Sequence, residues 1–280
     1  MAVLIAGLAA QQAAAQCRPP ANSNEAKLLA FYEDPLAFSL ATQPEIVPAG
    51  SVRIGAELSP IPTPDPSLEQ TSDCFTSKTE HTRLAPVFAR PRVSVGLPAG
   101  FVVEASYLPP VTIADAQPDL GSMALSRSQL LPIRPAGVPL LLTLRAHATI
   151  GRVRGSITCA ASSLQLSDPN QPCYGANPSR DTFKPNMFGA EGALGTSVDH
   201  GVIGLYAGGG VTWLRPRFQV GFTDGQGIRD NTQILVNLTR ATAFGGLTWH
   251  LPHALDLSGQ VYAVPADVVT WRLGAGWRIR

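Results

Sequence analysis

The sequence has the pattern of an all-β protein: a transmembrane antiparallel β-barrel of about ten strands, with twelve as the alternative count. Apolar and polar residues alternate along many short segments, and after residue 15 no apolar run approaches the length of a membrane-crossing helix. Charged residues make up only 15% of the chain, while 26 Gly and 25 Pro favour turns over long helices.

Residues 1–15 are predicted to be a signal peptide. The apolar stretch "MAVLIAGLAA" precedes Ala13 and Ala15, small residues at the spacing of a cleavage site. A buried helix is the alternative, because no Lys or Arg precedes the apolar run. Lipidation of Cys17 is disfavoured, because the residue before it is Gln16 rather than a small residue.

Residues 16–49 are predicted to form either a periplasmic leader or a plug in the barrel lumen. The stretch "NEAKLLAFYEDPLAFSLATQ" has weak helical character, with Asn24 as a candidate N-cap and Pro35 as the residue that breaks the helix. A flexible leader fits the same residues.

Residues 50–280 carry the alternation and are predicted to form the barrel. At the end of the chain, Trp271, Leu273, Ala275, Trp277 and Ile279 share one face of a strand, and Arg and Gly share the other. The same pattern marks nine earlier segments, near 51–59, 92–97, 101–107, 122–128, 140–150, 188–195, 203–213, 231–250 and 255–263.

The segment 231–250 departs from this regularity. Ile234, Val236 and Leu238 have one parity, whereas Ala241 and Leu247 have the other. A bulge near Thr239, or a strand whose outer end leaves the membrane, would produce the change.

The predicted connections are of two kinds that alternate along the chain. One side has short turns, at 98–100, 131–137, 198–201 and 251–254. The other side has long loops, at 61–88, 158–184 and 223–231, with short exceptions near 109–118 and 264–267. This asymmetry is typical of membrane barrels, and an even strand number would place both chain ends on the short-turn side.

A soluble β-sandwich or lipocalin-like barrel is the competing fold. Its polar face would carry Lys and Glu, whereas the polar faces here are rich in Gly and Ser. The apolar faces carry aromatic residues near strand ends, where interfacial girdles lie. These are Tyr107, Trp213, Trp249, Trp271 and Trp277.

The signal peptide, the alternating strands, the asymmetric loops and the amphipathic last strand together resemble the Gram-negative outer-membrane β-barrel class. The resemblance covers about residues 50–280, and it rests on patterns, so no family within the class is assigned. It implies a location in the cell outer membrane, contact with its lipid, and recognition by the barrel-insertion machinery. Barrels of this class usually end in an aromatic residue, whereas this sequence ends in Ile279 and Arg280, after Trp277.

Four cysteines accompany the predicted export to an oxidising compartment. Cys159 and Cys173 lie in one predicted outer loop, so we expect them to form a disulfide. Cys17 and Cys74 fall on opposite sides of the predicted membrane. They could pair only if the N-terminal segment threads the lumen as a plug.

Nothing in the sequence has a catalytic, metal or phosphate-loop motif, so we expect no enzyme activity, no metal and no cofactor. Asp199 and His200 lie at a periplasmic turn, and "HLPH" at 250–253 lies at another. The net charge of +1 gives no reason to expect a nucleic-acid partner.

The most informative polar residues are the charged ones on the predicted lumen faces. They either pair with one another and fill a narrow barrel, or line a polar path through a wider one. We therefore expect passive passage of small polar or amphipathic solutes, with a closed structural or surface-interaction barrel acting through its outer loops as the alternative. The predicted lumen-lining residues are Arg53, Glu57, Arg92, Glu104, Arg145, His147, Glu191, Asp256 and Arg272.

Overall fold

The protein is described by a computed structural model. It describes residues 15–71, 73–74, 78–79, 87–133 and 138–279. Apart from Ala15, the predicted signal peptide lies outside these residues. Within the described part of the chain, no helix has the length and hydropathy that would let it cross a membrane.

Ten antiparallel strands form a closed barrel. Each strand pairs with its neighbours in sequence, and the last pairs with the first, from Leu273↔Leu58 to Ile279↔Val52. The predicted outer-membrane-type barrel of ten strands is therefore confirmed. The strands are β1 (Val52–Pro60), β2 (Val87–Gly96), β3 (Phe101–Leu108), β4 (Gln117–Leu130), β5 (Leu141–Gly155), β6 (Met187–Val198), β7 (Ile203–Leu214), β8 (Leu238–Leu251), β9 (Leu255–Val264) and β10 (Val268–Ile279).

The two faces of the barrel wall differ as the alternation predicts. Trp271 and Trp277 on β10 point outward, with 64% and 55% of their surface exposed, while Arg272 between them is buried. Phe188 and Trp213 stack on each other on the same outer surface, at a centroid distance of 5.0 Å. A soluble β domain would bury these side chains, so the exterior is suited to hydrocarbon.

The change of apolar parity in 231–250 has a simple cause. β8 begins only at Leu238, and its register with β7 is unbroken from Leu214↔Leu238 to Ile203↔Trp249, so there is no bulge at Thr239. Ile234 and Val236 precede the strand and are buried above the barrel mouth. The apolar residues before and after Leu238 therefore face different surroundings, protein and lipid.

Short turns close one end of the barrel. Three are 3-10 turns, at Pro98–Gly100, Asp199–Gly201 and Pro252–Ala254. By the predicted topology this is the periplasmic end. Residues 134–137 of the predicted turn 131–137 lie outside the described residues.

The long loops at the other end fold together into a structure that we call the outer cap, formed by residues 156–186 and 215–237 with Gln16–Cys17. Phe183, Phe218, Phe222 and Ile234 are buried inside it. The predicted disulfide between Cys159 and Cys173 is present. The short strands of the cap are Gln16–Cys17, Asp181–Lys184, Arg217–Gln219, Phe222–Thr223, Arg229–Asp230 and Gln233–Leu235, and it also holds the 3-10 turn Ala161–Ser163. Two further short strands pair in the outer loop after β1, Gln70–Thr71 and Lys78–Thr79.

The N-terminal segment starts in the outer cap, which corrects the expectation that the N-terminal end lies on the periplasmic side. Cys17 forms a disulfide with Cys74. The short strand Gln16–Cys17 pairs in parallel with the strand Gln233–Leu235, with Gln16 opposite Gln233 and Cys17 opposite Ile234. Residues 18–49 must therefore pass through the barrel to reach β1 at the periplasmic end.

The helix α1 (Asn24–Glu33) lies at the outer mouth of the lumen, with most of its residues buried. Its N-cap is Ser23, whose hydroxyl accepts a hydrogen bond from the amide of Ala26 at 3.1 Å, so the prediction of Asn24 was wrong by one residue. The Asn24 side chain instead donates to the carbonyl of Ser67 at 2.9 Å. The α-helix ends before Pro35, and a 3-10 turn, Asp34–Leu36, follows it.

Candidate functional site

The interior of the barrel is the candidate functional site, because the inward faces of the strands bring the charged residues together there. A chain of alternating charges begins at Glu57 on β1. Glu57 is 2% exposed and lies 2.6 Å from the Arg90 guanidinium, and it also pairs with Arg92. These two arginines are two residues apart on β2 and so share its inner face.

The chain of charges continues across three more strands. Arg92 lies 2.7 Å from the Glu104 carboxylate, which also pairs with Arg145. Arg145 lies 3.2 Å from Glu191. His147 is buried next to it, with its Nε2 4.0 Å from the Glu191 carboxylate. Acids and arginines thus pair along the wall from β1 to β6, which is how buried charges avoid an unpaired state.

The arginines also bind the backbone of residues 35–41, which runs down the lumen. Arg90 donates to the carbonyls of Leu36 at 3.1 Å and Ala37 at 2.8 Å, and Arg145 donates to that of Phe38 at 3.0 Å. An extended segment without a partner strand leaves its carbonyls unpaired, and a guanidinium has five N–H donors to satisfy them.

Three other contacts hold the same segment. Arg92 donates to the Ser39 carbonyl at 2.9 Å, and the Gln260 amide donates to that of Leu40 at 2.7 Å. Arg272 donates to the Ser39 hydroxyl. The Phe38 ring is fully buried beneath three guanidinium groups, those of Arg90, Arg92 and Arg145, at 4.1–5.2 Å from its centroid.

The periplasmic end has a second polar cluster, centred on Asp256. Its carboxylate accepts hydrogen bonds from Arg278 at 2.8 Å and from His250 Nδ1 at 2.6 Å, and Arg53 lies 3.2 Å away. His250 Nε2 contacts the Gln43 side chain at 2.9 Å. The segment is thus held at this end too, and His250 pairs with Asp256 rather than with His253.

Glycines on the inner faces leave the space that the segment occupies. A Cβ on Gly204 would lie 1.9 Å from Oε1 of Gln43, and one on Gly195 would lie 2.4 Å from Cδ of Pro44. These glycines allow close approach of residues 43–44. Between residues 40–47 and the wall there remains a cavity of about 70 Å³, lined by residues that include Arg53, Glu104 and Ser126.

A group of acids lies at the outer mouth, outside the membrane-spanning strands. The pKa of Asp34 is raised well above its ordinary value by burial, and further by the Asp267 carboxylate that faces it. Burial also raises the pKa of Glu33, as does the neighbouring Asp34. Asp267 itself pairs with Arg240.

All nine predicted lumen-lining residues point into the barrel, and the structure brings them into two clusters. Arg53 and Asp256 lie at the periplasmic end. The other seven surround residues 35–41: Glu57, Arg92, Glu104, Arg145, His147, Glu191 and Arg272. Arg90 was not among the predicted residues, although it shares the parity of Arg92, because Pro91 made the predicted strand start too late. It also missed Gln260 and Ser39, which carry no charge to single them out.

Comparison with known proteins gives little beyond the fold. No family model matches the chain, and no curated protein matches it. Among solved structures, it is similar to Ail, the attachment invasion locus protein of Yersinia pestis, with TM-score 0.32 and 11% identity over 83% of this chain and 100% of that one. It is also similar to the TodX deltaS2S3 mutant monoaromatic hydrocarbon channel, with TM-score 0.30 and 12% identity over 88% of this chain and 70% of that one. Similarity at this level says nothing about function.

Proposed function

We propose that this chain is an outer-membrane barrel that is closed at rest by residues 23–45 and acts at the cell surface through its outer cap. The apolar exterior supports contact with outer-membrane lipid, and the predicted signal peptide supports export and insertion by the barrel-insertion machinery. The role is non-enzymatic and needs no cofactor, because the lumen charges are engaged by one another and by the backbone.

The observation that carries this proposal is the way in which the lumen is filled. Arg90, Arg92 and Arg145 each bind a carboxylate of the wall and a carbonyl of residues 36–39. Arg272 donates to the Pro35 carbonyl at 3.3 Å and lies over the ring of Tyr262 in the wall, 3.9 Å from its centroid. Moving the segment would break these hydrogen bonds and leave the carbonyls, and the N–H groups that donate to them, without partners, which is costly inside a barrel. A disulfide, Cys17–Cys74, also ties the segment to the outer loop that follows β1.

The first experiment measures conductance of the purified, oxidised protein in planar lipid bilayers. We expect no steady channel although the protein shows the heat-modifiable gel mobility of a folded barrel. A steady conductance in the oxidised protein would contradict the closed state.

The second experiment tests which end faces outward. Asn170→Cys lies in the exposed loop between Cys159 and Cys173, and His200→Cys replaces a fully exposed side chain in a periplasmic turn. A membrane-impermeant maleimide added to intact cells should label the first variant and not the second. The reverse result would place the cap in the periplasm and refute the surface role.

Passage of small polar or amphipathic solutes is the second candidate, and one observation favours it. The cavity beside residues 40–47 and an apolar pocket at the outer mouth lie at the two ends of residues 36–39. A displacement of these few residues would join them. A channel that appears only after the Cys17–Cys74 disulfide is reduced would support this candidate.

A further inference from the structure

From the contacts around β2 and β3, we propose that the barrel binds a small apolar molecule, the size of one aromatic ring or a short alkyl chain, in a pocket that opens through the wall towards lipid. This site goes beyond the proposed surface role, because it lies beneath the cap and requires no solute to cross the membrane.

The pocket lies between α1, the outer ends of the strands and the cap. Its lining side chains are apolar except for the hydroxyl of Tyr32. They include Tyr32, Leu36, Phe88, Leu120, Val153 and Phe183. The space that water-sized molecules can occupy is about 70 Å³. That is roughly five times the space that one water needs, yet water gains few partners on apolar walls, so such a cavity favours an apolar guest.

The wall next to this pocket is incompletely paired. The ladder between β2 and β3 has only four residue pairs, from Val93↔Ala105 to Gly96↔Val102. By contrast, β2 is paired with β1 over nine residues, and β3 with β4 over eight. The outer halves of β2 and β3 therefore continue as strands without pairing to each other.

Proline explains where the pairing stops. Continuing the register beyond Val93↔Ala105 would place Pro91 opposite Tyr107, and β3 is followed directly by Pro109 and Pro110. Proline has no N–H to donate to a ladder. The opening between the two strands is thus encoded in the sequence.

The pocket reaches the surface at this opening. Val87 and Ile113 both line the pocket and are 48% and 55% exposed. Val93 and Val103 on the same two strands face outward, with 43% and 41% of their surface exposed, where lipid would cover them. On this proposal, an apolar molecule dissolved in the bilayer enters the pocket past the exposed side chains of Val87 and Ile113. On the lumen side, the Arg90 guanidinium lies over the ring of Phe88, which lines the pocket, 5.4 Å from its centroid.

Photolabelling of the full chain in lipid vesicles tests the site. The probe is 3-trifluoromethyl-3-phenyldiazirine, a single apolar ring, and the labelled residues are identified by mass spectrometry. We expect saturable labelling of Leu120 and Phe183 that excess toluene suppresses. Labelling of these residues that neither saturates nor responds to toluene would overturn the proposal.

Two substitutions on β5 provide a matched pair. Val153→Phe fills the pocket from the inner face and should reduce the labelling at least about tenfold, whereas Ile150→Phe adds the same ring on the lipid face and should leave it unchanged. If Val153→Phe does not fold, Phe88→Trp replaces it, because it fills the pocket from the opposite wall. Equal labelling of the folded filled variant and of Ile150→Phe would refute the site.

The opening is tested separately with a phospholipid that carries a diazirine at the end of one acyl chain. It should label Phe88, which lines the pocket at the gap, and not Leu214, which is buried on the inner face of β7. Absence of label at Phe88 would refute the opening. Neither result depends on conductance, so the failure of this site and that of the closed-barrel proposal are distinguishable.

Discussion

Replacement of Glu57 by Gln is the sharpest test of how the lumen is held together. The side chain is fully enclosed between Arg90 and Arg92, and Gln keeps its shape while removing its charge. Around residues 35–41, four arginines (Arg90, Arg92, Arg145, Arg272) face three glutamates (Glu57, Glu104, Glu191), which is an excess of one positive charge. The variant raises this excess to two.

We expect Glu57→Gln to reduce the free energy of unfolding by about 3–5 kcal/mol, the usual cost of removing one partner from a buried ion pair. The contacts of Arg90 with Leu36 and Ala37 remain, and they keep the cost from rising further. Urea unfolding of the protein in lipid vesicles, followed by tryptophan fluorescence and by heat-modifiable gel mobility, measures the change.

The matched control is Asp119→Asn, the same acid-to-amide change in a solvent-exposed pair. Asp119 lies 3.2 Å from Arg152, and the two side chains are 32% and 44% exposed. Water screens such a pair, so we expect a loss of at most about 1 kcal/mol. If the two variants lost the same stability, the reasoning that burial makes the lumen charges indispensable would be refuted.

Three further predictions concern the N-terminal segment. The double variant Cys17→Ser, Cys74→Ser opens a loop with a sequence separation of 57, so the folded protein should lose about 4 kcal/mol of stabilisation from loop closure. Protease should then cleave residues 16–35 faster than in the wild type. Equal cleavage rates would contradict the tethering role of the disulfide. Asp34→Asn should raise stability at pH 8 and leave it nearly unchanged at pH 3, because the pKa of Asp34 is raised in the folded protein. The stability that the protonated carboxyl contributes is fully present below the ordinary Asp pKa of about 3.9 and is lost as the pH rises through the folded pKa. Denaturation measured against pH should therefore separate the two proteins, and parallel curves would count against the prediction. Gly204→Ala should reduce the free energy of unfolding by about 1–3 kcal/mol, because the new Cβ would collide with Gln43. The control is Gly259→Ala, whose Cβ would have its nearest neighbouring atom at 3.9 Å, and it should change the free energy of unfolding by at most about 0.5 kcal/mol. Urea unfolding midpoints compare the two variants, and equal midpoints would mean that residues 43–44 do not fill the lumen tightly.

The alternation of side chains determined the wall of the barrel from the sequence alone. Period two is a local property of a strand, so the parity of Trp271 and Arg272 assigns each to a face before any partner strand is known. For the same reason the ten strands and the inward direction of Glu57, Arg145 and Glu191 followed from the sequence. The disulfide of Cys159 and Cys173 followed as well, because both lie in one loop.

What fills the lumen was decided by tertiary structure only. Residues 35–41 pair with no neighbouring strand, and their carbonyls are satisfied by arginines from strands that are distant in the sequence. The pairing of Cys17 with Cys74 and the role of Arg90 follow from that path through the barrel. The opening between β2 and β3 was determined partly by the sequence and partly by the tertiary structure. Pro91, Pro109 and Pro110 are visible in the sequence, but only the strand register shows that they fall beside one another. Register brings together residues that no local sequence pattern connects.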